Sequence, residues 1–242
     1  MNVLLSFVFV AHSFTLLGDD PKITGHSTSR ITIDINSSDC PSDLRSLLQE
    51  AMTIWNTIPS SRLKFELGRE TTVDASATND FLFNERAIVA CSTDFETVTG
   101  STSASVTRAR DVDGDKFLDR AIAVINMDNT DLDYFDGFDT ETRKRHLIHV
   151  LGHIAGLGHT GDQNAVMHIN HRNVSGVKLH QDDIDGMTYL YPEADLTQDP
   201  LGCSMASPPP PQSRPPYELI LIIPLIWFCR RLLIYKKKVF IV

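Results

Sequence analysis

His149-Val150-Leu151-Gly152-His153-Ile154-Ala155-Gly156-Leu157-Gly158-His159 is the stretch from which the rest of the chain is read. His149 and His153 stand four apart, so a helix carries both imidazoles on one face, close enough to share a metal ion. A third ligand one helical repeat further would sit too far along the axis. Gly156 follows instead, and glycine lets a helix end in a left-handed turn. Such a turn can bring His159 back towards the first two. Three neutral imidazoles with one open position describe a catalytic type of zinc site rather than a closed structural one. Ala165-Val166-Met167 lies a few residues downstream.

The spacing His149, His153, Gly156, His159 with Met167 beyond resembles the metzincin pattern H-E-x-x-H-x-x-G-x-x-H and its methionine turn, specifically the matrixin branch. One position departs from it. The family has a glutamate where this chain has Val150, and that glutamate is the general base that takes the proton of the attacking water. Valine has neither lone pair nor ionisable group. The sequence therefore carries a zinc-site signal and a broken catalytic one, with no intact catalytic residue to name. The nearest upstream acid on this helix, Glu141, is more than two turns earlier, and none lies between it and His159. Substitution by Asp162 or by an acid of residues 128–139 is an open alternative, as is the reading of Val150 as a lesion one nucleotide from glutamate. His146, His168 and His171 are expected at the surface or behind the ligands.

Outward from this stretch the pattern holds. Arg30-Ile-Thr-Ile-Asp-Ile-Asn36 alternates β-branched apolar with polar residues and predicts a half-buried strand. Leu44, Leu47, Leu48, Ala51, Ile54 and Trp55 recur at helical spacing after the start signals Asp39 and Pro41, which predicts an amphipathic helix over 42–58. Arg62 to Leu67 alternates again. Ala87 to Cys91, Ala104 to Arg108 and Ala121 to Asn126 read as further strands, Thr140 to Gly156 as the histidine helix, and Leu179 to Pro192 as a short last helix with an acidic start. Strand, helix ending in Trp-Asn-x-x-Pro, strand, and a closing Leu-Tyr-Pro also resemble matrixin domains over about residues 28–195. The resemblance implies an α+β metzincin-like fold: a twisted five-stranded mixed sheet, two long helices and a short C-terminal helix. It also implies zinc-dependent endoproteolysis of extended peptide or protein substrates.

Asp111, Asp113 and Asp115 place carboxylates at alternating positions, as calcium loops do. The EF-hand form fails, because Lys116 stands for the required glycine and Ile122 for the bidentate glutamate. Matrixins carry structural calcium in this region, so calcium beside zinc is the expectation the resemblance adds; an acidic hairpin loop is the alternative.

The remaining segments divide as 1–17 (apolar, like the core of a signal peptide, with Ala11-His12-Ser13 as a small-x-small cleavage site), 18–29 (polar lead-in), 30–195 (the domain), 196–216 (a proline-rich linker) and 217–242 (an apolar and basic tail). The tail resembles a membrane anchor or sorting signal, but its apolar run is shorter than a full span requires. These features predict a domain outside the cytoplasm, secreted or anchored to the envelope. The net charge is -9, although Arg230, Arg231, Lys236, Lys237 and Lys238 crowd the carboxy end, so the body is more acidic still. An acidic body excludes nucleic acid as a partner. Cys40 and Cys91 fall in the domain, where an exported protein pairs them and a reducing compartment leaves two buried thiols.

Overall fold

A computed structural model describes residues 14–17, 25–173 and 176–193. The first thirteen residues of the predicted leader, the linker and the apolar-basic tail lie outside them. Among the described residues no helix is long and apolar enough to cross a membrane.

Five strands form one sheet in the order β2-β1-β3-β5-β4, with β1 Arg30–Asn36, β2 Lys64–Glu70, β3 Ala87–Ser92, β4 Ser105–Arg110 and β5 Arg120–Asn126. The β1·β2, β1·β3 and β3·β5 pairs are parallel, and β4 pairs antiparallel with β5 as an edge. The expected α+β architecture is therefore present. The alternation in β1 places Ile31, Ile33 and Ile35 in the core. β3 and β5 are inner strands with continuous apolar runs, Ala87 to Cys91 and Ala121 to Ile125, so they bury both faces, as strands covered on two sides do.

One face, with Ala87, Val89, Ala123 and Ile125, packs on two helices, α1 Leu44–Asn56 and α3 Thr140–Ala155. The other face, with Ile88, Ile122 and Val124, packs on Phe81, Phe83 and Phe95. Phe95 opens a five-residue helix, α2 Phe95–Thr99, too short to announce itself by periodicity. The last helix, α4, spans Gln181–Leu190.

Two hydrogen bonds set α3 against the rest, and a disulfide braces α1 on the sheet. Trp55 of α1 is fully buried and its Nε1–H donates to the Ile148 carbonyl at 2.9 Å. Tyr191, just past α4, donates its hydroxyl to the Ala155 carbonyl at 2.7 Å. Cys40 and Cys91 are disulfide-bonded, with Cα atoms 5.2 Å apart, which ties the start of α1 to the end of β3 and resolves the two sequence readings in favour of the bonded one.

Candidate metal centre

α3 begins at Asp139, whose carboxylate accepts from the Glu141 and Thr142 amides at 3.0 Å. A side chain there satisfies donors that the first turn cannot pair internally. Glu141 adds negative charge at the positive end of the dipole. The helix stops at Gly156, which has φ +111°. There the Gly156 amide donates to His153 and the Leu157 amide to Gly152, the paired bonds of a Schellman ending. A β-carbon at Gly156 would lie 3.0 Å from the Gly25 backbone, so conformation and space both require glycine.

This ending delivers His159. One ring nitrogen from each of His149, His153 and His159 falls within 4.8 Å of the others. Two of the rings are fixed from behind. His149 Nδ1 lies 2.7 Å from the Val166 carbonyl and His153 Nδ1 2.8 Å from the Leu157 carbonyl. A carbonyl only accepts, so each Nδ1 carries the proton and each Nε2 carries a lone pair. The two Nε2 atoms face one another at 2.9 Å. Two lone pairs that close, with no proton between them, form no hydrogen bond and repel; a shared cation converts the repulsion into ligation. The donor set therefore fits zinc, with tautomers fixed as ligand histidines require. Burial holds His149 well below the usual imidazole range and brings His153 to about 4, with neighbouring imidazoles adding to the first. Burial lowers His159 as well. All three are thus neutral near pH 7, the form that binds metal.

The methionine turn lies beneath. Met167 is buried, and its sulfur stands where a β-carbon on Gly152 would be, so glycine at 152 admits the turn to the back of α3. Asp183 of α4 clamps the same turn. Its carboxylate accepts from the Val166 amide at 2.9 Å and the Met167 amide at 3.0 Å, and from the His180 amide at 2.8 Å. Asp183 therefore fixes the carbonyl that orients His149. The acidic start of this helix suits its dipole, and spacing alone gives no sign that the buried Asp183 turns inward to this turn.

The imidazoles line a cleft of about 840 Å³ between β4 and the loop after α3. Thr15 and Leu17, from the end of the predicted leader, lie along it. The Gly158 amide donates to the Thr15 carbonyl at 2.8 Å, the Leu17 amide donates to the Gly156 carbonyl at 2.7 Å, and the Thr15 hydroxyl donates to the His159 carbonyl. Val150 is wholly buried and lines no part of the cleft. Asp133 is the carboxylate of the lining, and Arg172 holds it at 2.6 Å. Asp162 pairs with His180. His146 and His171 are buried rather than superficial, and the His171 ring stacks on His149 with centroids 3.9 Å apart. His168, which precedes His171 by three residues, is half-buried.

Asp111, Asp113 and Asp115 also converge, with one oxygen of each within 4.8 Å of the others. Their carboxylates accept from loop amides: Asp111 from Gly114 and Lys116, Asp113 from Asp115, and Asp115 from Phe117. Those bonds order the loop by themselves.

A histidine-bearing helix across a cleft from an antiparallel edge strand, ended by glycine and floored by methionine, defines a metzincin-type metallopeptidase domain. Residues 26–192 match the Matrixin family model, more than half of the chain, and the chain belongs to the matrixin family. Matrixins are zinc metalloendopeptidases that act on peptides and proteins. Interstitial collagenase of Oryctolagus cuniculus and of Sus scrofa are each 41% identical to this chain over 54 residues. That segment covers 22% of this chain and only 12% of either relative.

Proposed function

We propose that this chain is an exported matrixin domain that binds zinc through His149, His153 and His159 and has lost most of the family's peptidase activity. The pair of facing, proton-free Nε2 atoms carries the zinc reading. Zinc, when bound, polarises a peptide carbonyl and lowers the pKa of a coordinated water. This chain's own residues contribute orientation: Val166 and Leu157 carbonyls fix two ligands, and Asp183 and Met167 hold the turn beneath them.

What position 150 lacks is a proton acceptor. A side chain beside the ligands must take the attacking water's proton and hand it to the leaving nitrogen, and Val150 can do neither. Losing a general base typically costs about 10²–10⁴ in rate. The pairing of Asp133 with Arg172 and of Asp162 with His180 argues against either as a substitute. The domain then serves as a zinc-containing module that holds extended peptides or proteins along its cleft.

Export is supported by the Cys40–Cys91 bond, which suits an oxidising compartment. Cutting after Ser13 would leave Phe14 to Leu17 in place beside Gly156–His159. The tail after 216 is proposed as the envelope anchor or sorting signal. Asp111, Asp113 and Asp115 are proposed as a weak calcium site.

Metal analysis of the purified protein tests the central claim. One zinc per chain is expected in the parent, and less than a tenth of that in His149→Ala, His153→Ala and His159→Ala dialysed alongside. A parent that retains no zinc at micromolar free metal would remove the reading.

A further inference from the structure

β4 is an edge strand whose outer backbone is open. Ala104, just before it, and Arg110, at its end, turn their carbonyls to β5, where the Asn126 and Asp119 amides donate to them at 3.0 and 2.9 Å. Successive residues of a strand turn their backbone groups to opposite sides, so Thr107 and Ala109 aim theirs away from the sheet. The cleft beside the histidines runs along Ser103 to Thr107, and a second cavity of about 410 Å³ continues along Thr107 to Arg110. The two share Leu17 and Thr107. An extended peptide in the first has room to continue into the second.

The second cavity is lined by cations that pair with no carboxylate among the described residues. Arg108 gives its guanidinium to neutral acceptors alone: Asn79 Oδ1 at 2.9 Å and the Thr99 and Thr78 carbonyls at 3.0 and 3.3 Å. Arg110 is exposed, lies over the Phe81 ring at 5.6 Å from its centroid, and makes no ion pair there. Arg120 stands directly opposite Arg110 in the β4·β5 register, donates to the Phe81 carbonyl and likewise has no ion pair. Like charges facing across a strand pair repel, and a guanidinium keeps its charge. The acids nearest in sequence, Asp111 and Asp119, turn their oxygens to amides of their own loop. The cluster thus stands open to an anion, in a chain whose net charge is -9.

We infer that Arg108 and Arg110 recognise an acidic side chain, aspartate or glutamate, of a peptide laid along β4. Such a peptide pairs with the outward groups of Thr107 and Ala109, and its residue opposite Arg108 or Arg110 puts its side chain on their face of the sheet. A carboxylate there accepts charge-assisted hydrogen bonds from guanidinium and offsets the repulsion between Arg110 and Arg120. Peptide occupancy of the cleft, proposed above, is the premise; neither turnover nor the base missing at position 150 is.

Fluorescence anisotropy with the full chain tests it, using labelled ten-residue peptides, capped at both ends, that carry glutamate, glutamine or lysine at each position in turn. At one position glutamate should bind about three- to tenfold tighter than its isostere glutamine, and lysine more weakly than either. The gain should shrink as salt rises from about 0.05 to 0.5 M. Arg110→Gln, at an exposed position, should remove most of the preference, whereas Arg30→Gln, three strands away in the sheet, should keep it. Peptides that bind with no preference for glutamate at any position overturn this inference and leave peptide occupancy standing. So does a preference that Arg110→Gln and Arg108→Gln both leave intact. If no peptide binds, peptide occupancy falls and this inference with it. The comparison of glutamate with glutamine is made on the parent protein, whatever the fold of the variants.

Discussion

Val150→Glu is the substitution with most to say about the chain. Val150 sits one residue from His149, wholly buried in the core that α3 shares with α1 and the sheet. Glutamate is longer and polar, so the metal-free variant carries both overpacking and a carboxyl without solvent. Overpacking a core costs about 1–3 kcal/mol. For a domain of this size each kcal/mol lowers Tm by roughly 2–4 °C, giving a drop of roughly 2–12 °C. Zinc changes the balance, because a cation beside the ligands offsets the buried charge, so the variant should recover more of its Tm on adding zinc than the parent does. Restoring a base should raise the rate by about 10²–10⁴, a barrier reduction of roughly 3–5 kcal/mol. The assay is kcat/KM on an unstructured quenched-fluorescence peptide, with zinc content measured on each sample and Val150→Gln as an uncharged control of similar shape. Equal cleavage by parent and Val150→Glu would refute the argument, as would a folded, zinc-loaded Val150→Glu no faster than Val150→Gln.

Asp183→Asn should weaken zinc binding about 10–100-fold, the usual effect of losing a residue that orients a ligand, with competition titration against a chelator as the measurement. Replacing Cys40 and Cys91 by serine frees a 51-residue separation and should cost about 4 kcal/mol in the chain-entropy account, seen as a lower urea midpoint that reductant reproduces in the parent. His26 is buried, with Nε2 donating to the Ile154 carbonyl at 2.8 Å, and burial brings it to about 4 from 6.5. Above 6.5 it is neutral in both states; as pH falls towards 4 the unfolded chain takes the proton first, so stability declines by up to about 3 kcal/mol across that window. His26→Gln should flatten the slope in denaturant melts at pH 4 to 7. Chelating calcium should lower Tm, restored by calcium and not magnesium, if Asp111, Asp113 and Asp115 hold an ion; an unchanged Tm assigns the loop to its own hydrogen bonds.

The sheet and the three main helices were legible because burial imposes a period. Ile31, Ile33 and Ile35 alternate, and Leu44 to Trp55 step at helical spacing, since each faces one core. The three metal histidines were legible for a different reason, because two ligands on one helix face and a glycine ending leave few places for the third. Where a residue's role depends on what packs against it from a distant segment, spacing is silent. Gly152 looks like an indifferent helix position until Met167 arrives from the next loop. Asp183 looks like a dipole acid until the turn seventeen residues upstream donates to it. His146 and His171 lie 25 apart and meet only in the fold. Phe81, at φ +59°, and Phe83 form much of the second core from a stretch whose polar neighbours read as loop.

The strap formed by Thr15 to Leu17 gives His159 an unequal standing among the three imidazoles. His149 and His153 ride on a helix and lose little freedom on meeting a cation. His159 rides on a loop held on one side by the strap and on the other by the Thr160 amide, which donates to the Met167 carbonyl. Fixing a loose residue costs about 1–2 kcal/mol of entropy, so a chain whose strap has been pulled away must supply that at the moment of ligation. Metal would then escape faster from a donor set whose chemistry is unchanged, and the zinc off-rate becomes a gauge of whether residues 14–17 are seated.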